Sequence, residues 1–318
     1  MAVQTQPVYV LTALAVAPTS TSANKARRMV QYEVAKVDLP PIPSALTLAG
    51  PIDPAKIGFP NSNNYVVDGH NGTDPNTGLP CGPDKPAIGT VTDVGTGGAN
   101  PETPLQVATD GRNNVITALP RPNHYTGVDA CTGNQPDVQN ITNTVNPDYS
   151  TVSGLNAVVH SVQNAATQTL SCPSGVCTPP TSLGDSSATP PFLPVTVANG
   201  DLTLSGRTSG AGILLVTGTL TLSGNFSFDG LILVVGNGVL NANGGGNGQM
   251  NGAIVVANIG NSSYATNPTD ANLLSQLGSP TFNFNGGGGN GLHYNSCNIN
   301  LSATAASYTV ISRREITY

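Results

Sequence analysis

Few side chains in this sequence are grouped in a way that could do chemistry. The densest set of oxygen donors is Asp68-Gly-His-Asn71-Gly-Thr73-Asp74-Pro-Asn76, gathered around two glycines. Calcium loops have that composition, with Asp68, Asn71 and Asp74 as the candidate ligands, although the bidentate Glu of an EF-hand is missing. A plain turn accounts for the same residues. Glycoside chemistry needs a facing pair of carboxylates; Asp201 and Asp229, with Arg207, are scattered at the ends of strand-like segments. His70, His124, His160 and His293 form no H-E-x-x-H pattern, and no G-x-S-x-G elbow occurs. The glycine runs at 244–248 and 286–291 match no phosphate-binding pattern and read as tight corners. The sequence therefore points away from an enzyme, and calcium is the one cofactor it leaves open.

Five cysteines suit an oxidising compartment. Cys172-Pro-Ser-Gly-Val-Cys177 can close a small ring, and Cys81 with Cys131, both in loop-like sequence, is the candidate second disulfide. Cys297 is then left as a buried free thiol. The spacings form no paired C-x-x-C set, which disfavours zinc. Acceptor sequences at Asn71, Asn140, Asn225, Asn261 and Asn300 permit N-glycosylation, but chance matches are common in a chain so rich in Asn and Thr.

The elements that must position these residues are repetitive. Gly200-Asp-Leu-Thr-Leu-Ser-Gly206, Gly218-Thr-Leu-Thr-Leu-Ser-Gly224, Gly238-Val-Leu-Asn-Ala-Asn-Gly244 and Leu46-Thr-Leu-Ala-Gly50 share one alternating motif. The first three lead into a second, wholly apolar strand: Gly212-Ile-Leu-Leu-Val216, Gly230-Leu-Ile-Leu-Val234 and Gly252-Ala-Ile-Val-Val256. Such short repeats cannot bury their own apolar faces and must stack. The pattern predicts an all-β fold, a Gly-rich parallel β-helix or solenoid with long loops and one packed α-helix. That helix is expected over 149–166, where Val152, Leu155, Val159 and Val162 share an arc and Asp148 or Ser150 caps the start. It would cover the outer face of the apolar strands. A short helix is expected near Asp270–Leu277, and Leu46–Ala49 is expected to pair with Tyr65–Val67.

Three regions follow: 1–44, an N-terminal strand or hairpin; 45–194, a first rung with a loop-rich insertion and the helix; and 195–318, the Gly-rich body with a C-terminal strand at 307–312. Charged residues make up only 9% of the 318, against about 25% in ordinary soluble proteins. A net charge of −6 argues against nucleic acid or an anionic membrane as the main partner. Val8 to Ala17 is apolar but too short to span a bilayer, and no basic region precedes it. The expectation is a mature or truncated form from which a leader or anchoring stem has been removed.

The runs Gly200-Asp-Leu-Thr-Leu-Ser-Gly206, Gly212-Ile-Leu-Leu-Val-Thr-Gly-Thr-Leu-Thr-Leu-Ser-Gly224 and Phe284-Asn-Gly-Gly-Gly-Gly-Asn-Gly-Leu-His-Tyr-Asn-Ser-Cys297 resemble the PilX-type, type IV pilus-assembly-like proteins of bacteria. The opening Val8-Tyr-Val-Leu-Thr and the ending Ser312-Arg-Arg-Glu-Ile-Thr-Tyr318 share in the resemblance, which covers most of the chain. Family members carry a pilin-like hydrophobic helix before this region, and no catalytic residues are associated with them. The resemblance implies a cell-surface protein with pilus components as partners. With the composition, it leads us to expect a non-enzymatic extracellular structural protein, a homopolymeric filament subunit assembled by strand sharing through Val8, Val10, Leu11, Leu14 and Val16. An adhesin whose 73–194 region binds surface glycan is the alternative. A β-helix enzyme acting on polysaccharide through Asp201 or Asp229 is the third reading.

Overall fold

The computed structural model describes residues 8–16, 27–35, 39–74, 77–91, 104–129, 135–243, 248–285, 291–305 and 309–316. The N-terminal hairpin forms as its β-rich alternation predicts. Strand β1 (Val8–Val16) pairs antiparallel with β2 (Arg27–Ala35), from Val8 opposite Ala35 to Val16 opposite Arg27. Its uncharged, β-branched composition favours extended backbone.

Between the hairpin and the repeats, the chain is less loop-like than its composition suggests. Strands β3 (Leu46–Ala49), β4 (Ile57–Gly58), β5 (Val67–Asp68) and β6 (Ile88–Val91) precede helix α1 (Pro104–Ala118). Then come β7 (Tyr125–Thr126), β8 (Val138–Asn140), helix α2 (Val152–Asn164), β9 (Gln168–Thr169) and β10 (Val176–Cys177). Helix α2 is the expected helix, but its cap is Thr151, whose hydroxyl accepts from the Gly154 amide at 3.1 Å, and not Asp148 or Ser150. It buries Val152, Leu155, Val158, Val159 and Val162. Buried Asn156 donates to Asp270 at 2.9 Å and accepts from the Tyr264 hydroxyl at 2.8 Å, so its desolvation is compensated.

The repeats form β11 (Val195–Ala198), β12 (Asp201–Leu204), β13 (Arg207–Val216), β14 (Thr219–Ser223), β15 (Asn225–Gly236), β16 (Val239–Asn243) and β17 (Gln249–Gly260). β18 (Leu273–Gly278), β19 (Thr281–Phe284), β20 (Gly291–Tyr294), helix α3 (Ser296–Ala305) and β21 (Thr309–Ile316) complete the chain. The helix expected near Asp270–Leu277 is instead one 3-10 turn, Asp270–Asn272, followed by β18.

The alternating strands lie in parallel register: Leu202 opposite Leu220 opposite Leu240 opposite Phe282. The apolar strands do the same, Ile213 opposite Leu231 opposite Ala253. The buried residues of both sets belong to one core, where each fully buried Leu or Ile contributes roughly 1.5–3 kcal/mol.

The all-β solenoid with a single packed helix is nevertheless the wrong description. Among the described residues strands make up 44% and helices 18%, and the parallel sheets, one of twelve strands and one of six, do not close into a solenoid; the fold is mixed α/β. The physical reason lies in β17. Its first half, Gln249–Gly252, pairs with β20, and its second half, Ile254–Ala257, pairs with β3, so the large sheet forks. One branch runs β20-β5-β7 and the other β3-β6-β8. β3 therefore aligns with the apolar strands and pairs with β17 and β6, not with Tyr65–Val67. The segment that joins β6 of one branch to β7 of the other carries α1, and α3 follows β20; both helices pack on the large sheet. The remaining sheet is antiparallel, in the order β1-β2-β21.

Candidate functional site

In each apolar strand of the repeats a glycine sits mid-strand: Gly212 (φ +113°), Gly230 (φ +133°) and Gly252, stacked in register. A Cβ at Gly230 would lie 2.1 Å from the Gly212 carbonyl oxygen, so no larger residue fits. The residues before Gly230 and Gly252 are half-buried and polar, whereas Ala211 before Gly212 is buried, and the register carries this position across the sheet. Ala211, Asp229, Asn251, His293, Asp68 and Thr126 are successive partners. From Asp229 to Thr126 every one is half-buried, while both chain neighbours of each are buried. The result is a straight polar row with one side chain per strand, spanning roughly 19 Å at the usual strand spacing.

Asp229 is held at one end: its carboxylate accepts from Ser186 Oγ at 2.6 Å and from Asn251 Nδ2 at 2.9 Å. Ser186 arrives on a loop closed by the backbone exchange between Asp185 and Phe192, at 2.7 and 2.9 Å. On the other side stands α3, whose Asn298 donates to the Asn251 carbonyl at 3.2 Å. Between loop and helix lies a cleft of about 790 Å³, lined mainly by Asp229, Asn251, Asn295, Asn298, Thr73 and Leu301.

The far end of the row is built around Asp68. His70 Nδ1 lies 2.6 Å from Oδ1, Thr126 donates at 3.1 Å, and His293 Nδ1 approaches Oδ2 at 3.8 Å. Partial burial pushes this carboxyl up, but the contacts with His293, His70 and Thr126 together outweigh it and hold Asp68 well below the usual carboxylate range. Asp68 and Asp229 are three strands apart, about 14 Å, beyond the roughly 5–9.5 Å that glycoside hydrolysis requires of its two carboxyl groups.

Of the proposed calcium ligands, Asp68 and Asn71 are engaged by other side chains and amides. Asn71 Oδ1 accepts from the Ser296 amide at 3.0 Å, and its Nδ2 donates to Ser296 Oγ at 2.9 Å. Asp74 shapes a turn, its carbonyl accepting from Gly78 at 2.7 Å. Among the described residues no group of three or more His, Cys, Asp or Glu side chains is placed to hold a metal ion. Asp201, at the start of β12 in the six-stranded sheet, accepts from the Thr219 amide at 2.7 Å and does not join Asp229.

The Cys172–Cys177 disulfide forms as the spacing suggested. The second is Cys81–Cys297, with Cα atoms 5.3 Å apart, which corrects both the pairing of Cys81 with Cys131 and the free thiol at Cys297. Ser296 Oγ donates to the Cys81 carbonyl at 3.0 Å, so the start of α3 is already docked on this loop and brings Cys297 to Cys81. Cys131 lies outside the described residues. Helix α3, like α1, has no counterpart in the sequence expectations, and its one signal is Asn295, whose side chain accepts from the Asn298 amide at 3.0 Å as an N-cap.

The residues expected to self-associate form β1, the edge strand of the antiparallel sheet. Tyr9, Val10, Leu11 and Leu14 are 46–56% exposed and occupy both faces. Val8 and Val16 end the strand. Among the described residues no helix is long and apolar enough to cross a membrane. Comparison with protein families, with curated proteins and with solved structures finds no match to this chain.

Proposed function

We propose that this chain is a non-enzymatic structural subunit of an extracellular filament, whose copies are joined through strand β1. The observation that carries the proposal is a strand nine residues long and free of charge, with no strand pairing its outer edge among the described residues and with apolar side chains exposed on both faces. Such an edge presents unpaired backbone donors and acceptors to any strand of matching length. Pairing β1 with β1 of a second copy is two-fold and closes as a dimer, whereas a fibre grows only by head-to-tail contact. β21, eight residues long at the opposite edge of the same sheet, has the length such a contact needs. Two disulfides are compatible with an extracellular location, and the resemblance to PilX-type proteins points the same way.

Light scattering after size exclusion, over a range of concentrations, tests this. An open-ended series of oligomers that collapses to monomer in the double variant Leu11→Lys, Leu14→Lys supports the fibre. A species that stops at the dimer overturns head-to-tail growth, and a wild-type monomer at every concentration overturns the proposal.

A further inference from the structure

We infer that the polar row and the cleft above it form a docking groove for a neutral oligosaccharide. The inference is independent of β1, which lies in a different sheet.

The first argument is the inventory of donors and acceptors. Asp229 offers a carboxylate fixed by Ser186 and Asn251, and Asn295 and Asn298 add amides from α3. Thr73, beside Asn295, and the loop carrying Ser186 add hydroxyls. Two residues upstream a second row begins with Ser209 and Ser227, and Ser227 Oγ accepts from the Gln249 amide at 3.2 Å. Alternating amides and hydroxyls around one oriented carboxylate match a polyol, whose hydroxyls donate and accept at short intervals.

Charge selects among ligands of that kind. The row carries the carboxylates of Asp229 and Asp68 and, among the described lining residues of the cleft, no Lys or Arg. Nucleic acid, phosphorylated ligands and acidic sugars would meet like charge. A lone metal ion is disfavoured by the absence, among the described residues, of a suitable ligand cluster.

Geometry then favours a chain over a single sugar. Asp229 and Asn251 line the cleft, and His293, Asp68 and Thr126 continue the row beyond it at one strand spacing, roughly 19 Å in all, so a linear ligand that leaves the cleft along the row meets a polar side chain at each step. Leu301, 40% exposed, on the helix side and Pro191 on the loop side give the cleft apolar surface for the faces of sugar rings. With its carboxylates about 14 Å apart, the groove suits holding a glycan and not cleaving it.

Saturation-transfer NMR and calorimetry with cellohexaose, N-acetylchitohexaose and xylohexaose test the groove. At least one hexaose should bind, and the corresponding disaccharide should bind more weakly because it covers only part of the row. Asn251→Ala and Asp229→Asn should each weaken binding about tenfold or more, the effect of losing one hydrogen bond to a charged or oriented group. Leu301→Trp, which narrows the cleft from an exposed position, should do the same while leaving the thermal midpoint unchanged. Asp201→Asn, on the other sheet, should have no effect. Absence of binding by all three hexaoses, equal affinity for disaccharide and hexaose, or full affinity in Asn251→Ala and Leu301→Trp would each overturn the inference.

Discussion

Most edges of the two large sheets are strands of two or three residues, β7, β8 and β9 on the larger and β4 and β10 on the smaller; the exception is β18, six residues long, which pairs antiparallel with the end of β17. The antiparallel sheet ends in β1, nine residues long, and β21, eight. A short edge offers too few backbone groups for another chain to pair with, and a long one is an invitation. The two long edges differ again. β21 carries Arg313, Arg314 and Glu315, with Glu315 paired to Arg28 at 2.7 Å and Arg314 donating to Gln31 at 2.6 Å, whereas β1 carries no charge. Among the described residues the parallel body thus buries most of its apolar surface and leaves mostly short edges, whereas the three-stranded sheet leaves two long ones. Sensitivity to mutation should divide along the same line: changes in the body should unfold the protein, and changes in β1 should alter only what it associates with.

The largest effect expected within the body is loss of the Cys81–Cys297 bond, which links residues 216 apart. Loop-closure entropy puts its contribution near 5 kcal/mol, against about 2 kcal/mol for the six-residue ring of Cys172–Cys177. Replacing each pair by serine and measuring urea unfolding should reproduce that order. Equal losses would mean that docking of α3 on the loop, not the covalent link, holds the two together.

Next comes Gly230→Ala. The new Cβ would sit 2.1 Å from the Gly212 carbonyl oxygen at a φ of +133°. Backbone strain and overpacking together should cost about 3 kcal/mol or more, read as a fall in the urea midpoint. A loss below about 1 kcal/mol would show that the large sheet yields at this row, and the contrast with the hairpin would weaken.

What the sequence made legible, and what it hid, follows the same division. Repeats of Gly-x-Leu-x-Leu and Gly-Ile-Leu-Leu-Val show their register openly, because glycine and leucine recur at fixed spacing; from them Asp229 and Asn251 are readable as neighbours. His293, Asp68 and Thr126 join that row through β20, β5 and β7, strands of two to four residues with no periodicity to read. The fork in β17 was hidden for a similar reason, since one strand serving two partners leaves no mark in its own alternation. Leu46-Thr-Leu-Ala-Gly50 looks like the alternating strands but is buried at all four strand positions, as the apolar strands are, because tertiary burial overrides so short a pattern. Helix α1 has few apolar residues and an internal Gly111, which hid it among loops.

A smaller effect is expected at Asp68. Its carboxyl titrates below its unfolded value, so the stability it lends is complete above about pH 4 and is lost as pH falls through the folded value. Asp68→Asn should therefore destabilise at neutral pH, by no more than about 1 kcal/mol because the carboxylate is partly exposed. The gap between variant and wild type should shrink below pH 4. Asp137 acts in the opposite sense, since burial raises its carboxyl above the usual range, but it is common to both proteins and drops out of the difference. A gap that stays constant from pH 7 down to pH 3 would mean that His70 and Thr126 hold Asp68 by geometry alone.

The smallest change in stability should come from β1, and its smallness is the point. Tyr9 and Leu11 stand on one face of the strand and Val10 and Leu14 on the other, all about half exposed. Lysine at Leu11 and Leu14 removes no buried contact from the body, so urea unfolding of the double variant should stay within about 0.5 kcal/mol of wild type. The same lysines put charge on an edge that lacks it, which blocks strand addition. Stability and association should therefore separate: unfolding unchanged, oligomers lost. If the unfolding midpoint falls together with association, the antiparallel sheet is part of the cooperative body. β1 is then not a free edge awaiting a partner but a strand whose apolar faces already have one.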